Sequence, residues 1–254
     1  MAAGPRPDQS PERQGQGCPV TGPEFAAATV VMALGSVLQG SIGFGLALFA
    51  APLLALIDTH LAPGPLLVAN VVLTGLMARR EWHQVRVGDL GWSLGGRVIG
   101  IALAVGIMAG LSTHGLELFF GGTVLVGVLI TALGLSFKLN PGTLVGAGLV
   151  SGIMGTATAI GGPPMAIVYQ RESGPSFRGT LSAYFTIGAV LSALGLYWGG
   201  RFGLPDLVSG LLLCPGVLAG YLASHRFIGH VDRKGVRPAV LTVSAISAIV
   251  LIVT

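Results

Sequence analysis

Long apolar stretches without charge constrain this sequence more than any other feature. Seven of them contain no Asp, Glu, Lys or Arg, and an eighth contains only Arg97. A helix that crosses the roughly 30 Å hydrocarbon core needs about 20 such residues, and most of the stretches are close to this length. Charged residues make up 9% of the chain, against about 25% in soluble domains. The sequence therefore predicts an all-α, polytopic membrane protein with about eight membrane segments: Phe25–Ile57, Ala62–Ala78, Leu90–Leu111, Leu118–Phe137, Thr143–Tyr169, Gly179–Gly200, Leu207–Ser224 and Pro238–Thr254.

Two of these segments have lengths that do not fit a single crossing. As a straight helix, Phe25–Ile57 would be about 50 Å long, well beyond the thickness of the hydrocarbon core. It is also too short for two spans and a turn, which need more than about 40 residues. Thr143–Tyr169 is likewise longer than one crossing requires, and it contains the interruption Gly-Gly-Pro-Pro. We expect each segment to be a helix broken near its middle, or a re-entrant pair of half-helices.

The two long segments also align with each other, which suggests an internal repeat. A shift of 112 residues without gaps superposes four identical pairs in the two long segments, and one polar pair and one identical pair in the segments that follow: Gly40 on Gly152, Gly43 on Gly155, Ala47 on Ala159, Pro52 on Pro164, Asn70 on Ser182 and Thr74 on Thr186. We call this shift the repeat offset. Chance is the alternative explanation in a chain with 41 glycines. We expect a disordered tail, 1–24, and two membrane repeats of four segments each, 25–137 and 143–254.

Loop charge predicts how these repeats are oriented. If the broken segments do not cross the membrane, ten basic loop residues lie on one side and three on the other; if both cross, the split is seven to six. Lys and Arg are enriched in cytoplasmic loops. The first arrangement is therefore favoured, and it gives the two halves inverted topology. Letting only the first segment cross would bring Arg6 and Arg13 inside, so the side of the N-terminus stays open.

The two interruptions are the candidate binding site. They read GSIGFG at 40–45 and GTATAIGGPP at 155–164. Ends of half-helices leave backbone groups unpaired, and N-terminal ends favour anions. Packing is the alternative role for a glycine, above all for the GxxxG pairs Gly96–Gly100 and Gly106–Gly110. The expected substrate-binding residues are Gln39, Gly40, Ser41, Gly43, Gly45, Asn70, Gly155, Thr156, Thr158, Gly161, Gly162, Pro163 and Ser182. For Asn70 and Ser182, hydrogen bonding between helices is an equal alternative.

Two arginines could steer an anion. Arg97 lies inside the segment that begins at Leu90, about 10 Å deep at helical rise. It could neutralise an anion, but it could also snorkel to the interface or pair with Asp89. Arg178 begins its segment, where an ordinary loop role is the alternative. The basic residues other than Arg97 lie between apolar runs rather than on one face, so no nucleic-acid partner is expected. No metal-ligand spacing is present, and we expect no cofactor.

The sequence resembles a known transporter family at both interruptions. GSIGFGLALFAAPLLAL, its echo GTATAIGGPPMAI and the closing HRFIGHVDRKGVRP are similar to the TauE/SafE family of sulfite and organosulfonate exporters, in the toluene-sulfonate uptake permease superfamily. Phe44 and Leu46 depart from the family pattern, where small residues are frequent. The resemblance implies a plasma-membrane carrier of small sulfur-containing or carboxylate anions.

The expected function is therefore transport of a small anionic solute across the lipid bilayer. Two other classes remain open. A membrane-embedded enzyme would need a nucleophile with its base, or clustered carboxylates and histidines. A scaffold without transport activity would explain the apolar helices but not the paired interruptions. The sequence does not indicate an oligomeric state.

Overall fold

The computed structural model describes residues 22–172 and 174–227, together with residues 242, 244–246 and 249–250. Most of the expected tail, 1–24, and most of the last segment, Pro238–Thr254, lie outside these residues; the last three tail residues belong to the first helix. All regular structure in the described part is helical. The first half contains α1 (Gly22–Ile42), α2 (Leu46–Ile57), α3 (Gly64–Arg80), α4 (Val87–Ala109) and α5 (Thr113–Leu133). The second contains α6 (Pro141–Thr158), α7 (Gly162–Tyr169), α8 (Gly174–Trp198), α9 (Leu204–Leu212) and α10 (Cys214–Phe227).

Several helices are long and apolar enough to cross a membrane. Five spans within the described residues pass this test: α1, α3 with the turn before it, α4, α5 and α8. The bent pair α9 and α10 raises the number to six. The protein is thus a multi-pass membrane protein, while the expected total of eight segments stays a prediction. The expected segment Leu207–Ser224 is bent, because the chain turns by 42° between α9 and α10. Pro215, in the first turn of α10, lacks the N–H that a continuous helix would need.

Both overlong segments are interrupted, as the sequence predicts. α1 and α2 are separated by three residues, and Gly43 and Gly45 there adopt φ of 106° and 125°. Glycine reaches these angles without steric cost. In the second segment α6 ends at Thr158, and α7 begins with Pro163 and Pro164 in its first turn.

The second break lies later in the chain than the repeat offset implies. The offset places Gly43 on Gly155, yet Gly155 is still helical and the chain leaves the helix only at Ala159. Proline is favoured in the first turn of a helix and costs a backbone hydrogen bond in its interior, as at Pro52 of α2. The start of α7 is therefore set by the two prolines rather than by the glycine that aligns.

Glycine faces allow the closest helix packing. A Cβ added to Gly96 or Gly100 of α4 would overlap a carbonyl oxygen of α6, at Val145 or Leu149. On α10, a Cβ at Gly220 would overlap the Ala33 carbonyl oxygen of α1. The expected packing role of Gly96–Gly100 is confirmed. The same expectation for Gly106–Gly110 is wrong for the described residues, since a Cβ at Gly106 would meet nothing within 4 Å.

Candidate functional site

The two breaks together line a small, partly open cavity. Its volume is about 20 Å³, enough for about one water molecule. Both breaks contribute backbone to its wall. Six of the expected binding residues line it: Gln39, Gly45, Asn70, Gly161, Gly162 and Pro163.

On the first-break side, Gln39 organises the cavity. Its side-chain oxygen accepts from the Leu46 N–H at 2.9 Å, and its amide donates to Asn70 Oδ1 at 3.1 Å. The first N–H of α2 is thus already bound by the protein. Asn70 fulfils both roles that the sequence left open, because it bonds to another helix and lines the cavity.

Arg97 lies directly behind the second break. Its side chain reaches the end of α6, so that a Cβ added to Gly161 would be 3.0 Å from Nη1. Nη1 donates to Ser151 Oγ at 3.2 Å and Nη2 to Ser192 Oγ at 3.3 Å. Ser151 in turn donates to the Gly161 carbonyl oxygen at 2.7 Å. The guanidinium is therefore connected to the cavity wall through one serine.

This guanidinium is buried without a carboxylate partner in the described part of the chain. Arg97 is 2% exposed, and its Nε has no hydrogen-bond partner among the described residues. The ring of Tyr184 lies 5.1 Å from Cζ, a cation–π contact. Both structural alternatives for Arg97 are wrong. It does not reach the surface, and Asp89 pairs with Arg86 at 2.6 Å instead. The close α4–α6 packing holds this part of α4 inside the bundle.

Backbone donors are scarce at the second break. Proline has no N–H, so Pro163 and Pro164 leave Gly162 as the one amide donor among the first three residues of α7. We expected partial charges on N–H groups to recognise the anion. The Arg97 guanidinium, with five N–H donors, lies behind this break and does not itself line the cavity.

The remaining expected residues lie away from the cavity. Ser41 donates to the Val37 carbonyl and Thr158 to the Met154 carbonyl, each within its own helix, as short hydroxyl side chains often do. Thr156 donates to Ser192 Oγ at 3.1 Å. Gly155 lies beside the Arg97 guanidinium. Gly40 packs against Ser224, and Gly43 against Phe177 and Arg178. The Ser182 hydroxyl is buried and has no partner among the described residues.

Several residues of this region were not among the expected site residues, among them Phe44, Ser151, Tyr184 and Ser192. Phe44 lies between the two glycines of the first break, and its ring centroid is 6.2 Å from that of Phe177. A Cβ added to Gly162 would lie 3.0 Å from the Phe44 ring. It thereby links the two breaks. The sequence could have indicated Ser151 as a site residue, because the repeat offset superposes it on Gln39.

Arg178, the second expected steering residue, is paired. Its Nε donates to Glu81 Oε1 at 2.9 Å, and Arg80 Nη2 donates to the same oxygen at 3.1 Å. Arg178 is therefore less available than Arg97 to a free anion. Among the described residues no three His, Cys, Asp or Glu side chains lie close enough to hold a metal ion.

Comparison with known families agrees with this architecture. A family model described as "Sulfite exporter TauE/SafE" matches residues 27–251. The chain belongs to this family. The TauE/SafE match covers both breaks, Arg97 and every membrane-capable helix, and it implies a membrane transporter of sulfur anions. Searches of curated proteins and of solved structures found no match.

Proposed function

We propose that this TauE/SafE protein carries a small anion across the plasma membrane and binds it between the two breaks, beside Arg97. The solute is a sulfur-containing oxyanion, an organosulfonate or a small carboxylate. The observation that carries the proposal is the buried Arg97 guanidinium, 2% exposed and without a carboxylate within ion-pair distance among the described residues. A charge at this depth is costly and usually functional. A transient anionic ligand would offset that cost.

The second part of the proposal is that the halves are inverted repeats. Thr74 and Thr186, 112 residues apart, hydrogen bond to each other at 2.9 Å. A two-fold axis between equivalent helices brings a residue next to its own counterpart. The contacts between the halves are also equivalent. In one of them α10 of the second half packs on α1 of the first at Ala33, and in the other α4 of the first half packs on α6 of the second at Val145. Ala33 and Val145 are again related by the repeat offset. Such repeats place transporter sites at their interface, near the bilayer midplane.

Flux into liposomes tests the transport proposal. The purified full-length chain is reconstituted, and uptake of sulfite, sulfate, an alkylsulfonate and acetate is measured with pH, sodium and voltage gradients imposed separately. We expect saturable uptake of at least one of these anions. A second anion of the panel should inhibit this uptake. Liposomes without protein serve as the control. Folded, reconstituted protein with no flux of any of the four anions would contradict the proposal.

Loop accessibility tests the orientation. We expect the loops Arg79–Asp89 and His225–Arg237 to face the cytoplasm, because Lys and Arg near segment ends set topology. Most of the second loop lies outside the described residues, so the test uses the first. In a chain without Cys18 and Cys214, the cysteine of His83→Cys should resist a membrane-impermeant thiol reagent in intact cells. The cysteine of His114→Cys, beyond the opposite end of α4, should react. The reverse labelling pattern would overturn the orientation.

A further inference from the structure

Three charged side chains meet where α3 ends and α8 begins. Glu81 Oε1 accepts hydrogen bonds from Arg178 Nε at 2.9 Å and from Arg80 Nη2 at 3.1 Å. The side chains of Arg80, Glu81 and Arg178 are 20%, 10% and 13% exposed. Two guanidinium groups and one carboxylate leave a net charge of +1. We call these three residues the Arg80 cluster.

The Arg80 cluster lies against the first break as Arg97 lies against the second. Arg80 Nη2 is 3.4 Å from the Gly40 carbonyl oxygen near the end of α1, and the Arg178 side chain fills the space beside Gly43. Arg80 also lies over a tyrosine ring as Arg97 does, since Arg80 Cζ is 5.5 Å from the ring centroid of Tyr221 and Arg97 Cζ is 5.1 Å from that of Tyr184. The two breaks thus have similar cationic surroundings, but among the described residues a carboxylate pairs with the arginines of only the first break.

The hydrogen bonding of the Arg80 cluster is incomplete. Arg80 Nη1 and Glu81 Oε2 are buried and have no partner among the described residues. One carboxylate oxygen therefore serves two guanidinium groups while the other serves none. Buried ion pairs are stable only when their remaining donors and acceptors are satisfied. An oxyanion with three or four oxygens could accept from Nη1, Nη2 and Arg178 together.

We propose that Arg80 and Arg178 form a second binding site for a small oxyanion, and that the Glu81 carboxylate occupies this site as an internal competitor. The inference rests on the proposed function, since the same solute would use both sites. An arriving anion displaces Glu81, and Glu81 returns when the anion leaves. The competitor prevents two guanidinium groups from holding the anion too tightly for a carrier.

Glu81→Gln tests this site, because it keeps the shape of the side chain and removes the competing charge. Sulfate is the probe, and its binding to the purified full-length protein in detergent is measured by calorimetry. We expect sulfate to bind at least about fivefold more tightly than to the parent, because a like charge within a few ångströms opposes an anion strongly. Glu172→Gln is the matched control: Glu172 pairs with Arg86 at 3.1 Å, and its loss should leave sulfate affinity unchanged.

The alternative is an ion pair with a structural role only. It predicts that Glu81→Gln lowers stability and that its sulfate affinity is unchanged, weaker or undetectable. Any of these three results for the affinity would overturn the second site. In our proposal the gain also disappears in Glu81→Gln/Arg178→Gln.

The gain should persist when Arg97 is replaced by methionine, because that variant alters only the site at the second break. This separates the two proposals. Loss of flux in Arg97→Met without a gain in Glu81→Gln refutes the second site alone. A gain in Glu81→Gln with undiminished flux in Arg97→Met refutes the proposed anion site beside Arg97 alone.

Discussion

Replacing Arg97 by methionine is expected to abolish anion flux and leave the folded protein at least as stable as the parent. The side chain is 2% exposed and has no ion-pair partner in the described part of the chain. Replacing even a buried ion pair by apolar side chains of similar volume is often neutral or stabilising, by about 1–4 kcal/mol, and a buried charge without an ionic partner is costlier to keep. Removing a guanidinium from a buried anion costs about 2–5 kcal/mol of binding, which is roughly 30-fold or more.

Thermal unfolding and flux are measured on the same preparation. Arg171→Gln is the matched control, because Arg171 is exposed and its Nε bonds only to Ser136 Oγ at 3.1 Å; both measurements should stay at parental values. Arg97→Lys keeps a charge but cannot reproduce the two guanidinium hydrogen bonds to Ser151 and Ser192. We therefore expect its flux to lie between those of Arg97→Met and the parent. If Arg97→Met instead unfolded at a lower temperature and still transported the anion, Arg97 would only stabilise the packing of α4 on α6.

The location of the breaks could be predicted because segment length and glycine–proline content are local properties. Phe25–Ile57 is too long for one crossing and too short for two, and Gly43 and Gly45 supply the backbone freedom that the break uses. Pro163 and Pro164 fix the start of α7 for an equally local reason. The proposed repeat, which rests on the repeat offset, would account for the meeting of both breaks at one cavity.

The surroundings of the charged residues could not be predicted in this way. Whether Arg97 snorkels or is buried depends on which face of α4 packs against α6, a contact between distant parts of the chain. The serines that hold it, Ser151 and Ser192, come from two other helices. Hydroxyl groups that looked available, on Ser41 and Thr158, are bound to their own helices. Sequence patterns show which residues are polar but not which polar groups remain unbound after packing.

Adding a single methyl group at Gly161 is expected to reduce anion flux by about tenfold or more without unfolding the protein. Gly161 has a φ of −91°, which alanine adopts without strain. The new Cβ would lie 2.8 Å from Ser151 Oγ and 3.0 Å from Arg97 Nη1, too close for real contacts, so the serine and the guanidinium must shift. Small displacements of a positioned group can cost up to about 100-fold in function.

Gly146→Ala in α6 is the matched control for Gly161→Ala. A Cβ there meets nothing within 4 Å, and glycine is worse than alanine in a helix by about 1 kcal/mol. We therefore expect parental flux and equal or higher thermal stability. Flux and unfolding temperature are compared for the two variants in the same liposome preparation. Parental flux in Gly161→Ala would mean that the contact between Arg97, Ser151 and the second break does not position the anion, and the site between the breaks would have to be abandoned.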